Sequence, residues 1–148
     1  MPKKGNRMLR RLTAVLTLSF TILIGMASSA SAASVFTTTL TGSEEVPGRG
    51  DPDGYGFAVV VALPEVGLVC YSVAVFGILP ANAAHIHEAP RGVAGPVVVG
   101  LQAPSSGGSG GCVSNQEEAE DIVEDPSDYY VNVHNAEFPG GAVRGQLG

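Results

Sequence analysis

Apolar and polar residues alternate with a period of two along seven short stretches between residues 33 and 148. This period is typical of β-strands that bury one face in a core and expose the other. The predicted strands are residues 35–41, 54–63, 68–76, 83–87, 96–101, 129–133 and 142–147. Segments rich in glycine, proline and serine separate them, as expected for turns. The pattern therefore predicts an all-β fold, an antiparallel β-sandwich or flattened Greek-key barrel.

The remaining segments are predicted to be loops and one short helix. Residues 35–41 are rich in threonine, and we expect this opening strand at an edge of the sheet. Residues 102–111 are of low complexity, dominated by glycine and serine, and are predicted to form a flexible surface loop. Residues 116–124 are predicted to form one or two helical turns, with Ser114 or Asn115 as the N-cap.

The last two strands form a hairpin around which the chain is organised. A turn at Pro139-Gly140-Gly141 joins them, since proline presets its φ angle and glycine accepts positive φ. Alternation directs Val131 and Val133 to one face, which we expect to be the core. His134 then lies on the outer face or at the rim, in the connector of the hairpin.

Residues 1–32 have the pattern of a signal peptide. Five basic residues precede the apolar stretch 12–26, and Ala30-Ser31-Ala32 matches a cleavage site. The apolar stretch is shorter than a typical membrane span, although a retained N-terminal anchor is the alternative. We expect a single mature domain at 33–148, secreted or held at the periplasm or cell surface. Arg10-Arg11 leaves the choice between the general and the twin-arginine export routes open.

The charge of the mature part excludes several partners. Residues 33–148 contain no lysine, three arginines and fourteen acids, a formal charge of −11. This charge argues against nucleic acids and anionic membrane surfaces, and leaves an unknown protein or surface partner. The acidic run at 117–128 lacks EF-hand spacing and is predicted to be a solvated surface. Nucleotide-binding glycine loops are missing from the sequence.

The chain has two cysteines, Cys70 and Cys112, both in the predicted mature part. An exported chain with two cysteines most simply pairs them in a disulfide. This disulfide would close a loop of about 43 residues, which stabilises the fold by about 4 kcal/mol in chain-entropy models. The alternative is a pair of buried free thiols.

All three histidines lie in predicted strands or directly beside them. His85 and His87 are two residues apart and share one face of a strand, opposite Ile86. If this strand neighbours the one ending near His134, three imidazoles converge on the outer wall and suit copper or zinc. The alternatives are hydrogen-bonded structural histidines and a catalytic acid–base role.

Three groups of short motifs resemble the chordin-type (CHRD) domain. They are GSEEVP at 42–47, AHIH at 84–87 with GPVV at 95–98, and YVNVH at 130–134 with FPGG at 138–141 and RGQL at 144–147. The resemblance runs in order from about residue 35 to residue 147. According to this resemblance, six residues belong to a structural motif: Glu45, Pro47, Asn132, Gly140, Gly141 and Arg144. We expect Arg144 to bind Glu45, Glu137 or loop carbonyls.

The resemblance implies an extracellular all-β module without a defined enzymatic activity. CHRD domains occur in the bone-morphogenetic-protein antagonist chordin and as single-domain exported proteins of microbes. Chordin's cysteine-rich modules are missing here, so growth-factor antagonism does not carry over.

A second similarity is to copper/zinc superoxide dismutases, which also have an H-x-H strand, a later strand histidine, a disulfide and a late arginine. The match in kind and order is carried by His85, His87, His134 and Arg144. No histidine lies between His87 and His134 to bridge two metals. This similarity implies a dismutase-like fold, beside which an immunoglobulin-like sandwich is the other form we consider. The expected function is an exported binding or structural module able to hold one copper or zinc ion. The alternatives are a redox or dismutase-like metalloenzyme, and a metal-free matrix or adhesion protein.

Overall fold

The computed structural model describes residues 32–148, and the predicted signal peptide lies almost entirely outside them. The described chain forms one α-helix, α1 (Gln116–Glu124), and eight β-strands. The strands are β1 (Ser34–Thr41), β2 (Tyr55–Leu63), β3 (Leu68–Phe76), β4 (Ala81–Glu88), β5 (Val97–Leu101), β6 (Gly108–Ser114), β7 (Tyr129–Asn135) and β8 (Val143–Gln146). Within residues 32–148, no helix is both long enough and apolar enough to cross a bilayer.

The eight strands form one antiparallel sheet in the order β5-β4-β7-β8-β1-β2-β3-β6. The sheet is nearly closed, because its two ends, β5 and β6, lie beside each other. Near this seam the backbone N–H of Gln102, after β5, donates to the hydroxyl of Tyr71 on β3, at 2.7 Å. The prediction of an all-β antiparallel fold is therefore confirmed, and the sheet has the form of a flattened barrel.

The core follows from the alternation of residues along the strands. Val60 on β2, Val69 on β3, and Val131 and Val133 on β7 point inward and are fully buried. The helix α1 adds Ile122 to the same core. The predicted helix is confirmed, and its N-cap is the Asn115 side chain, which accepts a hydrogen bond from the Glu118 N–H at 3.3 Å.

Two predictions about individual strands were wrong. Strand β1 is not an edge strand, because it lies between β8 and β2, although it pairs with β8 only at Thr41. Its threonines mark a solvent-facing side of a strand inside the sheet. Residues 102–111 are not wholly a loop, since β6 begins at Gly108 and pairs with β3 as far as Ser114. Glycines have no side chain to give a periodic signal, so β6 was missed.

The disulfide between Cys70 and Cys112 is present, as predicted. The two cysteines are directly paired across β3 and β6, with Cα atoms 3.9 Å apart. Both side chains lie on the outer face, opposite the inward-pointing Val69 and the half-buried Val113. The bridge therefore fastens the glycine-rich edge strand to the barrel.

Candidate metal centre

Strands β4 and β7 are neighbours, so the histidines of both strands lie side by side. His85 is directly opposite Asn132, and His134 is opposite Ala83. Ile86 and Val133 point into the core and are fully buried, so alternation directs the histidines to the outer face. The adjacency that the three-histidine hypothesis required is therefore met.

The three imidazole rings form a compact cluster. Ring centroids are 5.0 Å apart for His85 and His134, 5.6 Å for His85 and His87, and 6.2 Å for His87 and His134. One ring nitrogen from each residue can be chosen so that all three lie within 4.8 Å of one another. Two nitrogens bound tetrahedrally at about 2.0–2.1 Å from one ion are roughly 3.3 Å apart. The 3.1 Å between His85 Nδ1 and His134 Nε2 is near that value.

Backbone carbonyls fix the tautomers of two of the histidines. His87 Nδ1 lies 3.0 Å from the Gly95 carbonyl, and His134 Nδ1 lies 3.1 Å from the Pro139 carbonyl. A carbonyl only accepts hydrogen bonds, so both Nδ1 atoms carry the proton and both Nε2 atoms present a lone pair. Metal-binding histidines are commonly oriented in this way. Because His134 Nε2 presents a lone pair, it accepts a hydrogen bond from His85 Nδ1–H at 3.1 Å.

The Nε2 atom of His87 is buried and has no hydrogen-bond partner among residues 32–148. A buried acceptor without a partner destabilises a fold by about 1–3 kcal/mol. A metal ion at the cluster would satisfy this atom. The donor set of three imidazoles therefore fits copper or zinc, both of which bind neutral imidazole nitrogen.

Burial keeps the cluster neutral. Burial disfavours the charged ring and is the main reason why the pKa values of His85, His87 and His134 lie below the ordinary histidine value. The proximity of the rings to one another lowers the pKa of His85 and His134 further. Neutral imidazoles are the form that binds metal.

The outer face of β4, β7 and β8 is covered by two loops, residues 89–96 and 136–142. The Gly95 N–H donates to the Tyr130 hydroxyl at 3.1 Å, and the Ala142 N–H donates to the Val133 carbonyl at 2.7 Å. His134 is only 9% exposed as a result. The face that alternation identifies as outer is thus a second layer, in which His85 and His87 are half-buried and the other side chains are buried. We call it the polar layer and define it by Glu45, His85, His87, Tyr130, Asn132, His134, Arg144 and Gln146.

Tyr130 links the histidines to Arg144. Its ring stacks on His87 with centroids 4.8 Å apart and planes inclined by 8°. The guanidinium carbon of Arg144 lies 3.4 Å from the centroid of the same ring. Since β4 and β8 flank β7, Tyr130 lies between the imidazole and the guanidinium.

Arg144 holds the loop 89–96 in place. The side chain is 1% exposed and donates to the carbonyls of Val93 at 2.8 Å and Pro90 at 3.2 Å, and to Gln146 Oε1 at 3.2 Å. Of the partners expected for Arg144, the structure has the loop carbonyls and no ion pair with Glu45 or Glu137. A fork of several N–H donors suits this set of acceptors.

Glu45 is a buried acid whose chemistry was not foreseen from the sequence. It is 5% exposed, its Oε2 accepts a hydrogen bond from Asn132 Nδ2 at 3.0 Å, and its Oε1 has no partner among residues 32–148. Burial raises the pKa of Glu45 to about 7, against the opposing effects of Asn132 and Arg144. No sequence signal separates a buried acid from an exposed one, so only the motif pointed to it.

Glycine and proline residues of the motif shape the loops around this acid. A Cβ at Gly141, where φ is +142°, would lie 2.2 Å from Glu45 Oε2, so only glycine fits. A Cβ at Gly140 would contact nothing within 4 Å, and its backbone does not require glycine. Pro47 is exposed and follows a cis peptide bond.

The CHRD domain family model matches residues 36–147. This chain belongs to the CHRD family. The motif segments of this CHRD domain that are far apart in sequence, 42–47, 84–98 and 130–147, meet in the polar layer and its covering loops. No curated protein and no solved structure matches the chain significantly.

Proposed function

We propose that this CHRD domain is an exported binding module that holds one copper or zinc ion through His85, His87 and His134, and that it is not an enzyme. The observation that carries the proposal is the convergence of one ring nitrogen from each of the three histidines within 4.8 Å. The buried Nε2 of His87, which has no hydrogen-bond partner among residues 32–148, supports it. Histidines that served only to fasten loops would not need to leave a lone pair of His87 unsatisfied.

The donor set guides the choice of metal. The group consists of imidazoles alone, which suit zinc and copper better than calcium or magnesium, whose preferred ligands are oxygens. Three protein ligands leave a further coordination position for water or a small ligand. The carbonyls of Gly95 and Pro139 would keep His87 and His134 oriented, and His85 would transfer its proton from Nδ1 to Nε2 if it bound through Nδ1.

Export is proposed on two independent features. Residues 1–32 carry the basic, apolar and small-residue pattern of a signal peptide. The disulfide between Cys70 and Cys112 is of a kind that persists in oxidising compartments outside the cytosol. Both features support a secreted protein or one held at the periplasm or cell surface.

The proposal is tested by calorimetric titration of the metal-free protein, residues 33–148 without a histidine tag, with Cu²⁺ and with Zn²⁺. We expect one ion per chain for at least one metal, and loss of that binding in His85→Ala and His134→Ala. The cluster contains every histidine of the chain, so no other imidazole contributes background binding. The exposed Glu137→Gln, in the loop 136–142, serves as the control variant and should bind as the wild type does.

A spectroscopic signal locates the ion. Because Tyr130 stacks on His87 at 4.8 Å, Cu²⁺ bound to His87 should quench Tyr130 fluorescence. Tyr130→Phe should keep the binding and lose most of the quenching. Stoichiometric binding that survives both histidine variants would show that the ion lies elsewhere and would overturn the assignment.

A purely structural role of the histidines is the second candidate, favoured by the hydrogen bonds of His87 and His134 to loop carbonyls. It predicts no metal binding but a lower melting temperature in His134→Ala. This outcome would agree with the matrix or adhesion alternative. The enzymatic alternative is addressed by a superoxide disproportionation assay of the copper-loaded protein. We expect the wild type and Tyr130→Phe to show the same activity, no higher than the bound copper itself accounts for.

A further inference from the structure

Strands β1, β2 and β3 form a wall of the barrel without a charged residue. The three strands read SVFTTTLT, YGFAVVVAL and LVCYSVAVF, in a domain whose formal charge is −11. On the outer face of this wall, Tyr55, Phe57 and Phe76 are 49%, 55% and 47% exposed. An exposed apolar patch on a soluble domain commonly marks an interaction site.

Hydroxyl groups and apolar side chains form two parallel columns on this face. Thr41 is directly opposite Tyr55, Thr39 is opposite Phe57, and Thr37 is opposite Val59. All of these side chains point outward, because the intervening Leu40, Ala58 and Val60 are buried. The hydroxyls of Thr37 and Thr39 make no hydrogen bond with residues 32–148. The face therefore offers free hydroxyls beside aromatic rings at regular spacing.

Two open depressions follow the same columns. One, of about 310 Å³, is lined by Thr37, Thr39, Phe57 and Val59 among others. The other, of about 410 Å³, lies where β1 ends and β2 begins. It is lined by Thr41, Ser43, Arg49, Asp53 and Tyr55 among others. The Tyr55 ring is held by stacking on Phe76, with centroids 5.2 Å apart.

We propose that this face binds an extended segment of a neutral polysaccharide. A sugar ring has an apolar C–H face, which suits Tyr55 and Phe57, and a rim of hydroxyls, which suits the threonine column. The span from Thr37 to Thr41 is roughly 13 Å, enough for a short run of sugar units. At its end, the guanidinium of Arg49 and the carboxylate of Asp53 can both bond hydroxyls, and their charges offset each other.

Other partners fit this face less well. A purely apolar partner would bury the threonine hydroxyls without hydrogen bonds, which is unfavourable. An acidic polysaccharide would be repelled by a domain of formal charge −11. The face lies on strands other than β4 and β7, which carry the histidines, so the proposal is independent of the metal site.

The test is a titration of the isotope-labelled protein, residues 33–148, with cellohexaose and with laminarihexaose, followed by NMR. We expect amide shifts of β1 and β2 residues with at least one of these sugars. Phe57→Ala should weaken that binding about tenfold or more, since it removes a central aromatic contact. Val66→Ala, which truncates a 64% exposed side chain in the turn after β2, is the matched control and should leave the affinity unchanged.

A second variant separates a sugar from an apolar partner. Thr39→Val removes one hydroxyl and keeps the β-branched shape that suits a strand. It should weaken sugar binding several-fold. No binding of either hexasaccharide by the wild type, or binding that Thr39→Val leaves unchanged or strengthens, would overturn the proposal. Self-association of the wild type that Phe57→Ala abolishes would instead assign the face to a second copy of the chain.

Discussion

At the scale of single residues, the polar layer combines many satisfied hydrogen bonds with a few conspicuous exceptions. Glu45 Oε1, Asn132 Oδ1 and His87 Nε2 are buried without partners among residues 32–148. Each such atom is unfavourable by about 1–3 kcal/mol. The neighbouring Arg144 and Gln146 have several partners each. The unsatisfied atoms therefore lie in an otherwise well-bonded layer, which supports a role in binding for at least His87.

Glu45→Gln should reveal the cost of ionising a buried acid. The folded protein holds this proton up to about pH 7, whereas an ordinary glutamate releases it near 4.5. Between these values the folded state binds more protons than the unfolded state, so the contribution of Glu45 is full below about pH 4.5 and falls as pH rises to about 7. The loss amounts to at most roughly 3 kcal/mol. We expect Glu45→Gln to be more stable than the wild type at pH 8.

The measurement is urea unfolding of both proteins, without metal, at several pH values between 4 and 8. The difference in unfolding free energy should grow up to about pH 7 and then stay constant. The three histidines, whose pKa is lowered on folding, act in the opposite direction, but they are the same in both proteins and cancel in the difference. A difference independent of pH would show that Glu45 titrates normally.

Arg144→Lys should destabilise the fold without removing the metal ligands. A lysine cannot reach the carbonyls of Val93 and Pro90 and also stack flat on Tyr130 as the guanidinium does. We expect a loss of about 1–3 kcal/mol in the unfolding free energy, with metal affinity nearly intact. Arg91→Lys, in an exposed ion pair with Glu44, is the control and should change stability by less than about 1 kcal/mol. Unchanged stability with lost metal binding would make Arg144 part of the site.

At the scale of elements, the strands with strong alternation were predictable and the others were not. Residues 68–76 were predicted with the bounds that the structure gives β3, because valines and a tyrosine alternate with small residues. The strand β6 was missed, since four of its seven residues are glycine or serine before Cys112 and its pairing with β3 decides its conformation. The position of β1 inside the sheet depends on long-range pairing with β8, which has no local signal.

The candidate site was predictable in part for the same reason. Alternation predicted that His85, His87 and His134 lie on the face of the sheet opposite the core. The family resemblance identified Glu45 and Arg144 as residues of a structural motif. The adjacency of β4 and β7 was an assumption that the sheet order confirms. The burial of the site was not foreseen, because the loops 89–96 and 136–142 fold over an outer face that alternation alone identifies as exposed. Covering loops depend on contacts distant in sequence, such as Arg144 with Val93.

Replacing both Cys70 and Cys112 by serine should loosen β6. The bridge joins the edge strand to β3 and closes a loop whose ends are 42 residues apart in sequence. We expect the variant to lose about 2–5 kcal/mol in unfolding free energy relative to the wild type. Its amide exchange should become faster, and more so in β6 than in β7. In the unreduced wild type, mass spectrometry after alkylation should detect no free thiol. Two alkylated cysteines in the native protein would contradict the pairing.

At the scale of the whole molecule, charge and polarity are distributed unevenly around the barrel. The wall of β1, β2 and β3 has no charged residue, while β4, β7 and β8 bear the polar layer under its loops. Seven of the acids lie between residues 117 and 128, on and after α1. The two proposed sites thus use different surfaces, and loss of one should leave the other intact. The acidic segment contributes to neither site.

Metal binding should stabilise the whole domain, because the proposed site exists only where β4, β7 and both covering loops are folded together. An ion at 100 times its dissociation constant adds about 2.7 kcal/mol when it binds the folded state alone. We expect the melting temperature to rise with the concentration of Cu²⁺ or Zn²⁺, and Mg²⁺, which prefers oxygen ligands, to have no effect.

This stabilisation should shrink in acid. Protons compete with the metal for the imidazoles. Since burial lowers the pKa of all three histidines below the ordinary value of about 6.5, the effect should persist at pH 6.5 and disappear only at lower pH. Melting curves of the wild type and His134→Ala, with and without metal, measure it. The variant should show no metal-dependent rise at any pH. An equal rise in both proteins would mean that the ion binds outside the cluster, and a fall in both would mean that it binds the unfolded chain.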